Sequence, residues 1–385
     1  MRGPSGDGCT AEVTVQDCFS ETYSEARGKF RAAAKACNAR TWNEVSAERG
    51  PSGETLTMDF AYRGSDRPDK LLVLVSGTHG PEGYAGSAVQ VFMLRHASDW
   101  LPVSKTGVLL VHAHNPFGFA WGVRVTEEGV DLNRNYLDHA VPPENPVYDR
   151  FAEHLGDWPE QWSEDFLDHY YEARSRTREE FSETTEREAF GAGQYKHEHG
   201  FFFGGFEPTW SNRTLSATLS DWAGKCGQIV AIDIHTGLGP TGSGELLSLS
   251  PQDSDRFRRS RSIFGEIVQS MPDGHSVAAY STGNFSGGLT DMLTDRVLAA
   301  HALEFGTRAD KEDEATKVRC QWLIACGDMQ SDQGIAIREA YRSIFYPAGE
   351  SWRKKVMSCA LNVVAQARSA LNSYSPVDQS RSGSS

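Results

Sequence analysis

The chain has 385 residues, 39% hydrophobic and 23% charged, the balance of a folded globular protein, which excludes disorder, collagen and coiled coil. Its 38 Lys and Arg against 52 Asp and Glu leave a net charge of −14, which sets the mean surface potential against nucleic acid and anionic membrane. Any anionic substrate needs a local cationic well.

Residues 1–10 are polar and Gly/Pro-rich, without the apolar run of a signal peptide, and are expected to be disordered. No stretch approaches the ~20 apolar residues of a membrane span, so the cytoplasm is the expected compartment. The seven cysteines lack C-x-x-C spacing, which argues for free thiols over a zinc ribbon or redox motif.

Four short segments rich in Val, Ile and Leu follow in order: Leu71–Ser76, Gly107–His112, Gln228–Ile234 and Val297–Glu304. Bounded by Gly, Pro or charged residues, they read as buried strands. Helical patterns lie between and after them, at Ala85–Arg95 and over the long stretch Tyr341–Leu371. Strands alternating with helices predict the α/β class. No G-x-G-x-x-G follows the first strand, which disfavours a dinucleotide-binding fold.

The segment 138–222 is acidic and aromatic, with a helical-looking Trp158–Phe190, and reads as an insertion on a single domain spanning 11–371. Its later part, 193–205, is rich in Gly and aromatics and suits either a loop lining a pocket or a hydrophobic cover. The sequence leaves open whether Lys196, His197 and His199 reach a site or decorate that loop. The last stretch, 372–385, is Ser-rich and is expected to be a disordered tail.

Chemistry gathers where the strands end, the edge of an open α/β sheet at which ligands bind. After Leu71–Ser76 comes Gly77-Thr78-His79-Gly80-Pro81-Glu82, and after Gln228–Ile234 comes His235. Two imidazoles and one carboxylate are the donor set of a catalytic zinc site with one position open. Glu304 closes the last strand, where a carboxylate is costly unless it is paired or used, and beside a metal it could act as a general base. Downstream of Gly107–His112 come Asn115-Pro116-Phe117-Gly118, Arg124, and Asp131-Leu132-Asn133-Arg134-Asn135. Arg124 and Arg134 would provide fixed positive charge for an oxyanion and for a substrate carboxylate.

The ordered set His79-x-x-Glu82, Asp131-x-Asn133-Arg134-Asn135, His235 and Glu304 resembles the zinc carboxypeptidase family, M14. A bacterial branch, DUF2817, is more similar still, through Asn115–Trp121, the Gly205 to Asn212 segment and Ile232-Asp233-Ile234-His235-Thr236-Gly237-Leu238-Gly239. The resemblance covers about Asp59 to Ala360. It implies a mixed, mostly parallel central sheet flanked by helices, and one Zn²⁺ per chain held by His79, Glu82 and His235. It also implies Glu304 as general base, Arg124 polarising the scissile carbonyl, Asn133 and Arg134 holding a terminal carboxylate, Asp131 orienting His79, and Tyr280 over the substrate. The implied reaction is hydrolysis of an amide beside a free carboxylate, in a small peptide or, as in the wider aspartoacylase group, an N-acyl amino acid. A non-catalytic binding protein on the same fold is the alternative of another class. Nucleic acid and membrane are not expected partners, and the sequence says nothing of oligomeric state.

Overall fold

The computed structural model describes residues 14–307 and 311–373. Eight strands form one sheet: β1 (Arg40–Arg49), β2 (Thr55–Arg63), β3 (Lys70–Ser76), β4 (Thr106–His112), β5 (Gln228–Gly237), β6 (Gly244–Ser248), β7 (Val268–Ser270) and β8 (Val297–Gly306). Their order is β1-β2-β4-β3-β5-β8-β6-β7. The four apolar segments of the sequence become the contiguous centre, β4-β3-β5-β8, with every pair parallel. β1, β2 and β6 join antiparallel, so the sheet is mixed around a parallel core.

Both faces of that core are buried, as a parallel sheet requires. Leu72, Leu74, Val108, Leu110, Val230 and Ile232 pack under the helices Tyr23–Ala36, Gly83–Arg95 and Glu350–Ser373. The alternate residues Leu71, Val73, Val75, Leu109, Val111 and Ile229 face the helices Trp210–Ala223 and Phe285–Leu293. Strand side chains alternate between faces, so a run apolar at every position serves both layers.

The helices depart from expectation in three places. The stretch Tyr341–Leu371 is two helices, Asp332–Phe345 and Glu350–Ser373, separated around Pro347, whose ring and missing N–H stop the first. The second helix carries Asn372 and Ser373, which had been assigned to the tail; the rest of that tail, like residues 1–10 and Cys9, lies outside the described residues. The expected helix Trp158–Phe190 starts only at Glu164, where Ser163 caps it, and breaks at Ser182, which has φ +87°.

The helices of segment 138–222 divide between two clusters. The helices Pro146–Leu155, Glu164–Phe181 and Glu183–Ala192 form a satellite around Tyr148, Phe151 and Tyr170, whereas Trp210–Ala223 places Leu215, Leu219 and Trp222 in the main core. Cys18, Cys37, Cys226, Cys320, Cys326 and Cys359 are free thiols. Among the described residues no helix is long and apolar enough to cross a membrane.

Candidate metal centre

All four central strands point their carboxyl ends to one edge, and the turns after them carry the site. After β3 the chain reverses at Gly77, with φ +75°. At Gly80 an added Cβ would lie 1.9 Å from the Gly118 carbonyl oxygen, a close approach that only glycine permits. Glu82 occupies the N-cap position of the helix Gly83–Arg95 yet makes no capping bond. Its carboxylate turns to two imidazoles instead.

His79 Nδ1 lies 2.9 Å from Glu82 Oε1, and His235 Nδ1, from the end of β5, lies 2.8 Å from Glu82 Oε2. The Thr236 N–H donates to the same Oε2 at 3.1 Å. The donor atoms of His79, Glu82 and His235 fall within 4.8 Å of one another, a grouping that could hold a metal ion. All three residues are at most 4% exposed.

The outer nitrogens test whether a metal fits. His79 Nε2 lies 3.1 Å from Asp131 Oδ1, and His235 Nε2 lies 2.6 Å from Asp233 Oδ2. A carboxylate accepts, so a neutral ring with its hydrogen on Nε2 faces Glu82 with the Nδ1 lone pair. Two lone pairs aimed at one carboxylate repel unless a proton or a cation stands between them. Burial alone would raise the Glu82 carboxyl, but His79 and His235 reverse that and hold it well below the usual carboxylate range. Burial alone would lower His235; Asp233 and Glu82 raise it well above an ordinary imidazole. The donor set could therefore hold a cation, and two nitrogens with one oxygen suit zinc.

Glu304 stands opposite His235 in the β5–β8 ladder and is 7% exposed. Its Oε1 accepts from the Leu238 N–H at 2.9 Å. Burial, with the Glu82 charge adding, pushes its carboxyl up to about 8. Arg124 donates from Nε to Asp131 Oδ2 at 2.8 Å, and its Nη1 lies 3.6 Å from Glu82 Oε1. Asp131 therefore holds His79 with one oxygen and Arg124 with the other. Burial would raise its carboxyl, and Arg124 holds it well below its usual range.

Asn133 is fixed by the Phe285 N–H, which donates to its Oδ1 at 3.0 Å, and its Nδ2 lies 3.3 Å from His235 Nε2. Arg134 is buried. Its Nη1 donates to Asn133 O at 2.8 Å and its Nη2 to Gly191 O at 2.6 Å, while Nε has no partner. Among the described residues no carboxylate forms an ion pair with it.

The 193–205 loop reaches this edge. The Asp131 N–H donates to Phe203 O at 2.8 Å, Tyr195 OH to Arg134 O at 2.7 Å, and Asn135 Nδ2 to Gly204 O at 2.8 Å. The Phe202 ring lies 5.3 Å from the guanidinium carbons of both Arg124 and Arg134. Lys196 and His197 pair with Asp149 at 2.7 and 3.0 Å, and His199 is exposed beside Glu198. Tyr280 is 47% exposed on the loop before Gly283 and makes none of the site's hydrogen bonds.

Two participants carried no assigned role in the sequence. Asp233 had a signal, since an Asp two residues before a strand histidine shares its face. Phe202 had none, because its place depends on how the loop folds back.

A family model described as "Protein of unknown function (DUF2817)" matches residues 19–359. Comparison with curated proteins found no match. Among solved structures, bovine thrombin-activatable fibrinolysis inhibitor in complex with tick carboxypeptidase inhibitor is similar at 11% identity and TM-score 0.47, covering 91% of this chain and 97% of that one. Carboxypeptidase A from Helicoverpa armigera is similar at 11% identity and TM-score 0.48, over 87% and 77%. An aspartoacylase family protein from Mesorhizobium loti MAFF303099 is similar at 16% identity and TM-score 0.38, over 75% and 67%.

Proposed function

The chain belongs to the DUF2817 family, and we propose that it is a zinc-dependent amide hydrolase that releases an amino acid from a small substrate with a free carboxylate. The observation that carries this reading is the meeting, at one sheet edge, of the His79, Glu82 and His235 donors with the raised carboxyl of Glu304. Zinc held there supplies Lewis acidity, which acidifies water and polarises a carbonyl.

The remaining work falls to the chain's own groups. Glu304, held at Oε1 by Leu238, keeps Oε2 to accept the proton of the attacking water and to pass it to the departing amine. Arg124, fixed by Asp131, presents its remaining N–H groups to the carbonyl oxygen; one such donor contributes on the order of 3 kcal/mol. Arg134 binds the substrate carboxylate, since among the described residues its buried guanidinium pairs with no carboxylate and its Nε has no partner.

The covering loop supports a small substrate. Buried donors, with Phe202 against both guanidiniums, favour a short peptide end or an N-acyl amino acid over an internal peptide bond. The test is a panel of short peptides and N-acyl amino acids, each with a free or an amidated carboxyl, assayed with and without chelator. Chelator-sensitive release of an amino acid from the free acids alone supports the reading. Cleavage of amidated and free substrates at equal rates would overturn the carboxylate requirement.

A further inference from the structure

We propose that Thr78, His114 and Tyr136 form a one-way hydrogen-bonded relay that locks His235 as an Nδ1 metal ligand, which makes all three positioning residues for the metal centre. The inference rests on the reading of His235 as a ligand and adds three side chains that it does not use.

The relay can be traced by counting hydrogens. The His235 Nε2–H donates to Asp233 Oδ2 at 2.6 Å. Thr78 Oγ1 lies 2.9 and 2.8 Å from the two Asp233 oxygens, so its single hydrogen is committed to that carboxylate. The same hydroxyl lies 3.0 Å from His114 Nδ1 and can only accept there. His114 therefore carries its hydrogen on Nδ1, which leaves Nε2 to accept from Tyr136 OH at 2.7 Å. Each link has one permitted direction, from Tyr136 through His114 and Thr78 to Asp233.

Burial makes the assignment rigid. Thr78 and Asp233 are at most 2% exposed, His114 is fully buried and Tyr136 is 8% exposed, so water does not compete for these bonds. Burial pushes the His114 imidazole down to about 4, consistent with a neutral ring carrying one hydrogen. A core that needed only filling would use apolar groups, since buried polar atoms cost free energy unless they are paired.

The backbone aims the relay at the ligands. Thr78 directly precedes His79, so one turn provides a donor to the centre and a brace for the opposite donor. His114 is delivered by Ala113, which has φ +64°, and its N–H donates to Ser76 O at 2.9 Å. With Asp233 gripped on both oxygens, its carboxylate cannot swing away from His235, and Nδ1 stays directed at Glu82. The turns after β3 and β4 and the end of β5 thus support one imidazole.

The test compares Thr78→Val, which keeps the shape and removes the hydroxyl, with Thr78→Ser, which keeps the hydroxyl, by chelator-competition measurement of the zinc dissociation constant. Thr78→Val is expected to weaken zinc binding by about 10–100-fold and Thr78→Ser by less than about threefold, the range for a group that orients a metal ligand. Ring-nitrogen NMR of the metal-free wild type is expected to place the His114 hydrogen on Nδ1, a readout that needs no variant to fold. Equal zinc affinity in wild type and a folded Thr78→Val protein, or a His114 hydrogen on Nε2, overturns the relay. A wild type that binds no zinc overturns the metal reading instead.

Discussion

Glu304 faces His235 across the parallel ladder of β5 and β8, both buried at the carboxyl ends of their strands. Adjacent strands lie about 4.8 Å apart, so the carboxylate emerges beside the imidazole that reaches Glu82. Glu304→Gln keeps the size and the Leu238 contact but removes the proton acceptor. Turnover is expected to fall by about 10²–10⁴-fold with zinc content unchanged, read by kinetics and metal analysis on one preparation. Activity within tenfold of wild type would remove Glu304 from the role of base.

The same residue gives the metal-free protein a pH signature. Its carboxyl is raised from 4.5 to about 8, chiefly by burial, so the folded state favours the protonated form. That advantage is complete below the unfolded value and is lost as pH rises through the folded one. The chelated wild type should therefore lose stability between about pH 5 and 8. His235, also raised, acts in the same sense, so Glu304→Gln flattens the loss without abolishing it. Thermal melts at stepped pH read the difference, and identical slopes in the two proteins count against the buried, raised carboxyl.

Arg134 offers a separation of binding from turnover. Arg134→Lys keeps a charge but loses the planar fork that matches a carboxylate. KM for free-acid substrates is expected to rise by about 10–100-fold, the worth of a charged hydrogen bond, with kcat within a few-fold. An unchanged KM would mean that the substrate carboxylate binds elsewhere.

Phe202 permits an unusually clean deletion. It has φ +54°, a conformation that costs a non-glycine residue about 1–2 kcal/mol. Phe202→Gly relieves that cost while removing the ring that covers Arg124 and Arg134. The expected outcome is a folded protein of undiminished Tm whose kcat/KM ratio for bulky over small acyl groups rises about tenfold, roughly 1.4 kcal/mol of discrimination. A lower Tm or an unchanged ratio contradicts the ring's role as a size filter.

Legibility in the sequence followed burial. β3, β4, β5 and β8 were readable because burial on both faces makes them apolar at most positions, and their ends marked His79, His235 and Glu304. β1 was not, because Arg40–Arg49 is an edge strand that is largely exposed on both sides. β6 and β7, at five and three residues, are too short to show a period. Within the site, residues joined by short spacing, such as His79 and Glu82, were plain from the motif. Partners brought together only by folding, such as Thr78 with Asp233 or Phe202 with Arg134, leave no mark along the chain. The resemblance pointed to Arg134 and Asn133, but only the structure shows that Asn133 is tied to Phe285 and lies beside His235.

The most direct test of the central claim is zinc stoichiometry, measured by elemental analysis of wild type and His79→Ala after equilibration with zinc and removal of the unbound metal. The account predicts about one zinc per wild-type chain and a loss to near background in the variant. Equal zinc in both proteins, or none in the wild type, would contradict the assignment of His79, Glu82 and His235 as the metal centre.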